Sequence, residues 1–342
     1  MLKALKRPIG GLAITMAALL ATTACASTTN TGSSGSGGRS NFPTHPITLV
    51  VQYPAGGGVD VPARLVSKYA EKYLGQNIVI VNQDGGGGVV GVTKVANAKP
   101  DGYTMGIMIP TVITDQYLVK GASYTPDSFD PVVQINSDYG VLSAQSGTKT
   151  ANSLDADLAA AKAASQPYTV GMSGLWTTND WALLSLKKSK DVPLTRVQFQ
   201  GGAPAAKALL GGDINLSFNY PSEIADFVKT GKVTPLAVAA PDRLPSLPAV
   251  PTFTEAGYPD VATLGIWRIL VVPKGTPEDV RAKLEDAFIK ALKDPQLKKE
   301  AESVSTTIDY KSSADAAKVI AKDADTYKKL IDRYGLTVGS TP

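Results

Sequence analysis

Two adjoining stretches, Pro46-Ile47-Thr48-Leu49-Val50-Val51 and Pro54-Ala55-Gly56-Gly57-Gly58-Val59-Asp60, decide how this chain folds. Ile47–Val51 is a short apolar, largely β-branched run, which reads as a strand buried on both faces. A glycine turn follows. From about Val61 to Leu74, apolar Leu65, Val66, Tyr69, Ala70 and Tyr73 recur at spacings of three and four, the period of a helix with one buried face. Gly75 then ends the helix as a C-terminal glycine. Strand, glycine turn and helix in succession form the repeating unit of an α/β protein.

The same pattern continues outward. Ile78–Val81 reads as a second strand, Gly85–Gly88 as a second glycine turn, and Tyr103–Ile109 as a third strand after a short helix to Asn97. The middle of the chain alternates helices at Leu154–Ala164, Trp181–Lys188, Ala203–Leu210 and Ser222–Lys229 with strands at Tyr168–Met172, Arg196–Phe199, Ile214–Phe218 and Pro235–Ala239. Such alternation predicts parallel sheets covered by helices on both faces. Thr276-Pro277-Glu278-Asp279 reads as a helix start with Thr276 as N-cap. A last amphipathic helix is expected from about Ser313 to Tyr334.

Composition removes several classes of function. One cysteine, Cys25, and one histidine, His45, exclude a disulfide framework, thiolate or His-rich metal sites and a His-dependent triad. Neither a metal nor a cofactor is expected. The formal charge of +4 includes Lys3, Lys6 and Arg7, and residues 1–24 hold no acid, so the remainder carries only +1. That is no footprint for nucleic acid.

The N-terminus reads as an export signal. Lys3, Lys6 and Arg7 precede an apolar stretch from Ile9 to Ala21, too short for the roughly 20 residues of a permanent membrane span. Thr22-Thr23-Ala24-Cys25 resembles a lipoprotein signal box, with Thr22 where that pattern usually has Leu; the alternative is an ordinary signal with an incidental cysteine. Ala26–Ser40 is almost wholly Ser, Thr, Gly and Asn, a composition that behaves as a flexible spacer. The expectation is a protein lipidated on Cys25 and held at the outer face of the membrane.

The glycine turns, each between a strand and a helix, present free backbone N–H groups at the positive end of a helix dipole, which suits an anion. They serve equally as plain tight turns. Gly86-Gly87-Gly88-Val89-Val90-Gly91 fits a dinucleotide fingerprint, but no acid ends the next strand. Gly171-Met172-Ser173-Gly174 approaches a serine-nucleophile turn, but Leu175 occupies its last glycine position.

These pieces resemble the solute-binding proteins of tripartite tricarboxylate transporters, the Bug family. The opening stretch is one. Others, in family order, are Leu74-Gly75-Gln76, Lys99-Pro100-Asp101-Gly102-Tyr103-Thr104, Gly201-Gly202-Ala203-Pro204-Ala205, Ala208-Leu209-Leu210-Gly211-Gly212, Arg243-Leu244-Pro245 and Pro273-Lys274-Gly275-Thr276-Pro277. The resemblance covers about residues 44 to 336. It implies a two-lobe, periplasmic-binding-protein-like α/β fold with the ligand cleft between the lobes. The first lobe would comprise residues 44–140 and 263–342 and the second 141–262, after a signal (1–24) and a tether (25–43).

By the same resemblance, the chain captures a small organic carboxylate, a di- or tricarboxylate, and delivers it to a two-subunit membrane permease; the Trp176 indole points to a flatter, aromatic form of such an acid. The chain does so as a monomer that catalyses nothing. A sensor that signals to a membrane kinase is the alternative. Two loops would grip the ligand. Ala55, Gly56, Gly57 and Asp60 belong to the first, beside Tyr53; Ser173, Trp176, Thr177, Thr178, Asn179 and Asp180 form the second. Gly87, Thr111, Asn219, Tyr220 and Arg268 complete the expected set. In the second loop Trp176 stands where the family pattern has glycine and Asp180 where it has histidine. Trp176 reads as ligand contact or core, Asp60 as helix cap or ligand orienter, and Arg268 as partner of a second carboxylate or of an interlobe acid.

Overall fold

The computed structural model describes residues 41–113, 121–148, 153–199, 201–304 and 306–335. The expected signal, the lipidated Cys25 and the spacer to Ser40 lie outside the described residues. No helix among those described is long and apolar enough to cross a membrane.

The chain builds two five-stranded sheets. The first contains β1 (Ile47–Val51), β2 (Ile78–Asn82), β3 (Thr104–Met108), β4 (Phe129–Tyr139) and β10 (Gly265–Pro273), in the order β2-β1-β3-β10-β4. The second contains β5 (Val141–Gln145), β6 (Tyr168–Met172), β7 (Leu194–Gln198), β8 (Leu216–Asn219) and β9 (Val233–Val238), in the order β7-β6-β8-β5-β9. Helices α1 (Asp60–Leu74), α2 (Val89–Ala96) and α3 (Pro110–Ile113) follow strands of the first sheet. Next come α4 (Leu154–Ala163), α5 (Thr178–Lys190), α6 (Gly202–Gly211) and α7 (Pro221–Lys229) around the second. The chain then returns through β10 to α8 (Glu278–Lys293), α9 (Pro295–Ser303) and α10 (Ser313–Tyr334).

The sheets are mixed, not purely parallel as predicted. β1 runs parallel to β2 and β3, and β6 parallel to β7 and β8, whereas β10 and β5 run antiparallel to both their neighbours. A parallel neighbour requires a crossover connection back to the same edge. β10 and β5 instead enter from the other sheet, and so run the opposite way. Between β4 and β5 stands one residue, Gly140, packed so closely on α5 that a Cβ there would fall 2.0 Å from Asn179 Oδ1.

Among the described residues, the two largest apolar cores pack on the two sheets. Ile47, Leu49, Met105, Ile107, Val133 and Leu270 fill the first with Val66 and Phe288 from the helices. Val170, Leu216 and Phe218 fill the second with Leu158, Leu183 and Leu186. The last helix touches more than one core: Ala316 and Ile320 belong to the first. Its later residues Tyr327, Leu330 and Ile331 pack with Trp176 and Trp181 of the second lobe. Trp267 Nε1 on β10 donates to Asp323 Oδ2 near the helix midpoint at 2.7 Å.

Two local expectations need correction. Thr276 does not cap α8; its hydroxyl donates back to the Pro273 carbonyl at 2.7 Å, and the cap position is Pro277. Asp60 is not a cap either. It is the first residue of α1, and its carboxylate bonds backward into the preceding loop, leaving Val59 at the cap position without a side-chain bond.

Candidate functional site

The first loop leaves the buried end of β1 and turns through Tyr53–Val59 into α1. Gly56 adopts φ 78°, a left-handed conformation that glycine reaches freely, and its N–H donates to Asp60 Oδ2 at 2.8 Å. The same carboxylate accepts Arg64 Nε at 2.7 Å and Asn82 Nδ2 at 2.8 Å. Asn82 Nδ2 also donates to the Tyr53 carbonyl at 2.9 Å. Burial by itself would raise the Asp60 carboxyl, but Arg64, the Gly56 N–H and Asn82 together hold it below the usual carboxylate range. Asp60 thus pins the loop.

The second loop repeats this wiring. After β6, residues Ser173–Thr177 lead into α5, where Thr177 is the N-cap: its Oγ1 accepts from the Asp180 N–H and donates to the Gly174 carbonyl at 3.0 Å. Trp176 sits at φ 60° and donates its N–H to Asp180 Oδ2 at 2.8 Å. Arg196 Nη1 reaches both Asp180 oxygens, at 3.2 and 3.1 Å. Burial pushes the Asp180 carboxyl up against the pull of Arg196. A left-handed L-residue costs about 1–2 kcal/mol. Burial of the Trp176 indole, 3% exposed and 5.3 Å from the Trp181 ring, offsets that.

Three further helix starts face the same space. Asp84–Gly88 precedes α2, Gly201 enters α6, and Tyr220 enters α7. The Tyr220 hydroxyl and Thr178 Oγ1 share a hydrogen bond of 2.6 Å, and burial raises the phenol above its ordinary value. Glu223 Oε2 accepts the Tyr220 N–H at 2.9 Å and Asn219 Nδ2 at 3.1 Å. Burial pushes the Glu223 carboxyl up.

Together these loops enclose a cavity of about 1120 Å³ between the two sheets. Its wall holds the N-terminal ends of α1, α2, α5, α6 and α7, so five positive dipole ends converge on one space. The charged side chains in the lining are Arg268, Asp84 and Glu223. Arg268, on β10, donates Nε to the Gly58 carbonyl at 2.6 Å and Nη1 to Asp138 Oδ2 at 3.1 Å and Asn136 Oδ1 at 3.3 Å. Among the described residues, its Nη2 takes no hydrogen bond. A ligand anion here meets backbone N–H groups, hydroxyls and one guanidinium already paired with an acid.

Of the residues singled out in the sequence, Tyr53, Ala55, Gly56, Gly57, Gly87, Thr111, Ser173, Trp176, Thr177, Thr178, Tyr220 and Arg268 line this cavity. Asp60, Asn179, Asp180 and Asn219 do not. Each is buried behind the lining and spends its polar atoms on the scaffold, Asn219 Nδ2 on the Gly202 carbonyl at 2.8 Å for example. Trp176 lines the cavity and also belongs to an apolar cluster. The lining also includes Gln52, Gln198, Gly201–Pro204 and Glu223, which were not singled out. Gly201-Gly202-Ala203-Pro204 carries the same strand, glycine and helix signal as the other two turns. A smaller cavity of about 300 Å³, with Trp267, Lys322 and Asp323 in its wall, shares no residue with the cleft.

Comparison with known proteins agrees with this architecture. Residues 62–336 match the sequence model described as tripartite tricarboxylate transporter family receptor. The chain is 31% identical over 303 residues to the UPF0065 protein in the gbd 5'region of Cupriavidus necator, covering 86% of this chain and 89% of that protein. Among solved structures, MatC from Rhodopseudomonas palustris with bound malate is 28% identical with a TM-score of 0.74, over 85% of this chain and all of that one. A second R. palustris protein, with adipate, is 26% identical with a TM-score of 0.77, over 87% of this chain and all of that one.

Proposed function

This chain belongs to the tripartite tricarboxylate transporter receptor family, and from that premise we propose that its cleft captures a small organic carboxylate for a two-subunit membrane permease. The observation that carries the reading is the convergence of five helix N-termini, with their glycine turns and the Thr177 and Thr178 hydroxyls, on one cavity. Such a wall binds carboxylate oxygens by charge-assisted hydrogen bonds without a lysine cluster. Malate and adipate in two related structures support the same ligand class. The two lobes, divided near residues 140 and 263, close on the bound acid, and the closed form is what the permease recognises. Micromolar affinity, about −8 kcal/mol, is within reach of a few such bonds plus closure.

The mature protein is anchored through a lipid on Cys25, with the spacer to Ser40 as its tether; mass spectrometry of the mature N-terminus reads this directly, and an unmodified Cys25 removes the anchor. Ligand class is tested by calorimetry or thermal shift with mono-, di- and tricarboxylates. Stabilisation by at least one acid is expected, weakened in Ser173→Ala and Arg268→Lys. No response to any carboxylate, with a response to a sugar or nucleotide, would refute the assignment.

A further inference from the structure

We propose that Glu223 sets the specificity of the cleft by accepting a hydrogen bond from a donor, an ammonium or a hydroxyl, that the ligand carries beside its carboxylate. This deepens the carboxylate-binding reading above and rests on it.

Glu223 is, with Asp84, one of two acids in the wall of a cavity on which five helix N-termini converge. Its Oε2 is held by the Tyr220 N–H and Asn219 Nδ2, while among the described residues its Oε1 takes no hydrogen bond. It has no ion-pair partner among them either. The Arg268 charge in the same cavity is already matched by Asp138 at 3.1 Å. The lining therefore carries one cation against two acids, Asp84 and Glu223. A second plain carboxylate seated at Glu223 would meet a like charge, whereas an ammonium or hydroxyl there would be paired. The carboxyl is also fixed in place. It lies against the backbone of Gly202, where a Cβ would fall 1.9 to 2.2 Å from its atoms, so the start of α6 and the acid are fitted to each other. An oxygen this well positioned discriminates, because a site that accepts a hydrogen bond penalises the analogue lacking the donor.

Matched acids differing only in the donor supply the test: succinate, malate and aspartate; glutarate, 2-hydroxyglutarate and glutamate; benzoate, 2-hydroxybenzoate and 2-aminobenzoate; tricarballylate and citrate. Affinities are measured by calorimetry on the full chain in detergent and on E223Q, which keeps an accepting oxygen for the Tyr220 N–H and turns the other atom into a donor. In the set that binds, the hydroxy or amino acid is expected to bind at least about tenfold more tightly than its plain counterpart. In E223Q that preference should fall below about threefold, with secondary structure and melting temperature retained. Hydroxy and amino arms identify which donor is used. Equal binding of the plain acid, binding only of donor-free acids, or a preference that survives E223Q overturns the proposal and leaves carboxylate capture standing. Failure of every acid on the wild-type chain removes both. If E223Q does not fold, the wild-type preference alone decides.

Discussion

The backbone N–H of Trp176 points at the carboxylate of Asp180 from 2.8 Å, and Gly56 makes the same bond to Asp60 at the same distance in the other lobe. In both places a left-handed residue hands its N–H to an acid four positions on, and an arginine, Arg196 or Arg64, closes the acid from outside. The two loops that face the cleft are therefore held by scaffold acids, and neither acid needs to touch the ligand.

Asp180→Ala is expected to destabilise the protein by about 3 kcal/mol, because it strands the half-buried Arg196 and an inward-facing N–H together. Asp180→Asn keeps one acceptor for Trp176 and should lose less, about 1–2 kcal/mol. Urea denaturation of the two variants orders them; equal losses would mean that the charge contributes nothing.

Trp176→Gly relieves the left-handed backbone but empties the space of a buried indole. Removing a buried tryptophan side chain costs about 3–5 kcal/mol and the conformational relief returns about 1–2, so a net loss of about 1–4 kcal/mol is expected. Gly56→Ala is the converse: no heavy atom lies within 4 Å of its Cβ position, so only the backbone strain remains, about 1 kcal/mol. Denaturant midpoints of the two variants check both values.

Gly202→Ala drives a methyl into the Glu223 carboxyl and should destabilise by about 1–3 kcal/mol. Combined with Glu223→Ala, which clears that space, most of this loss should vanish. A double-mutant cycle reads the coupling directly, and strict additivity would show that the two residues do not press on each other.

Acid titration should reveal two opposite slopes. The Asp60 carboxyl is held below its ordinary value of 3.8, so the unfolded chain takes up that proton first. Its contribution to stability is present above about pH 4 and is lost as the pH falls through the folded value. Asp60→Asn should flatten that acid limb. The Glu223 carboxyl is raised above 4.5, so the folded chain holds its proton longer than the unfolded chain. Its favourable contribution is complete below about pH 4.5 and is lost as the pH rises through the folded value. Glu223→Gln should reduce this fall. Asp180 and Asp323, also shifted upward, retain their share. Unfolding free energies at half-unit steps from pH 3 to 7 separate the two effects.

Arg268→Lys replaces a planar fork with one point charge. It cannot keep the Gly58 carbonyl and Asp138 together, and a loss of about 1–2 kcal/mol in stability is expected. Ligand affinity should fall as well, since Gly58 belongs to the loop that lines the cleft. Retention of both would take Arg268 out of the loop's support.

The strand–turn–helix grammar was legible where local chemistry decides structure. Ile47–Val51 shows its burial in its composition, Gly75 caps α1 at φ 69°, and the last helix runs from Ser313 to Tyr334 on an uninterrupted period. β4 was hidden by its polarity: Asp130, Gln134 and Asn136 are buried in it. Their partners, Lys274, Asp309 and Arg268, come from far along the chain. The antiparallel direction of β5 and β10 is likewise a property of the path between sheets, invisible to any window. Ser173 and Thr177 could be placed because they follow a recognisable strand. Asp60 and Asp180 could not, because an acid in a first turn shows its proximity to the loop but not the direction in which it folds back. Glu223 looks in sequence like any acid near a positive helix end; its contact with Gly202 is purely tertiary.

Helix α10 ties the two lobes together. Its first turns are rooted in the core of the first lobe through Ala316 and Ile320. Its last turns hold Trp176 and Trp181 through Tyr327, Leu330 and Ile331. Lys188 Nζ fastens the far end to the Arg333 carbonyl at 3.1 Å. Trp176, a wall residue of the cleft, is thus braced by a helix whose other end sits in the core of the opposite lobe.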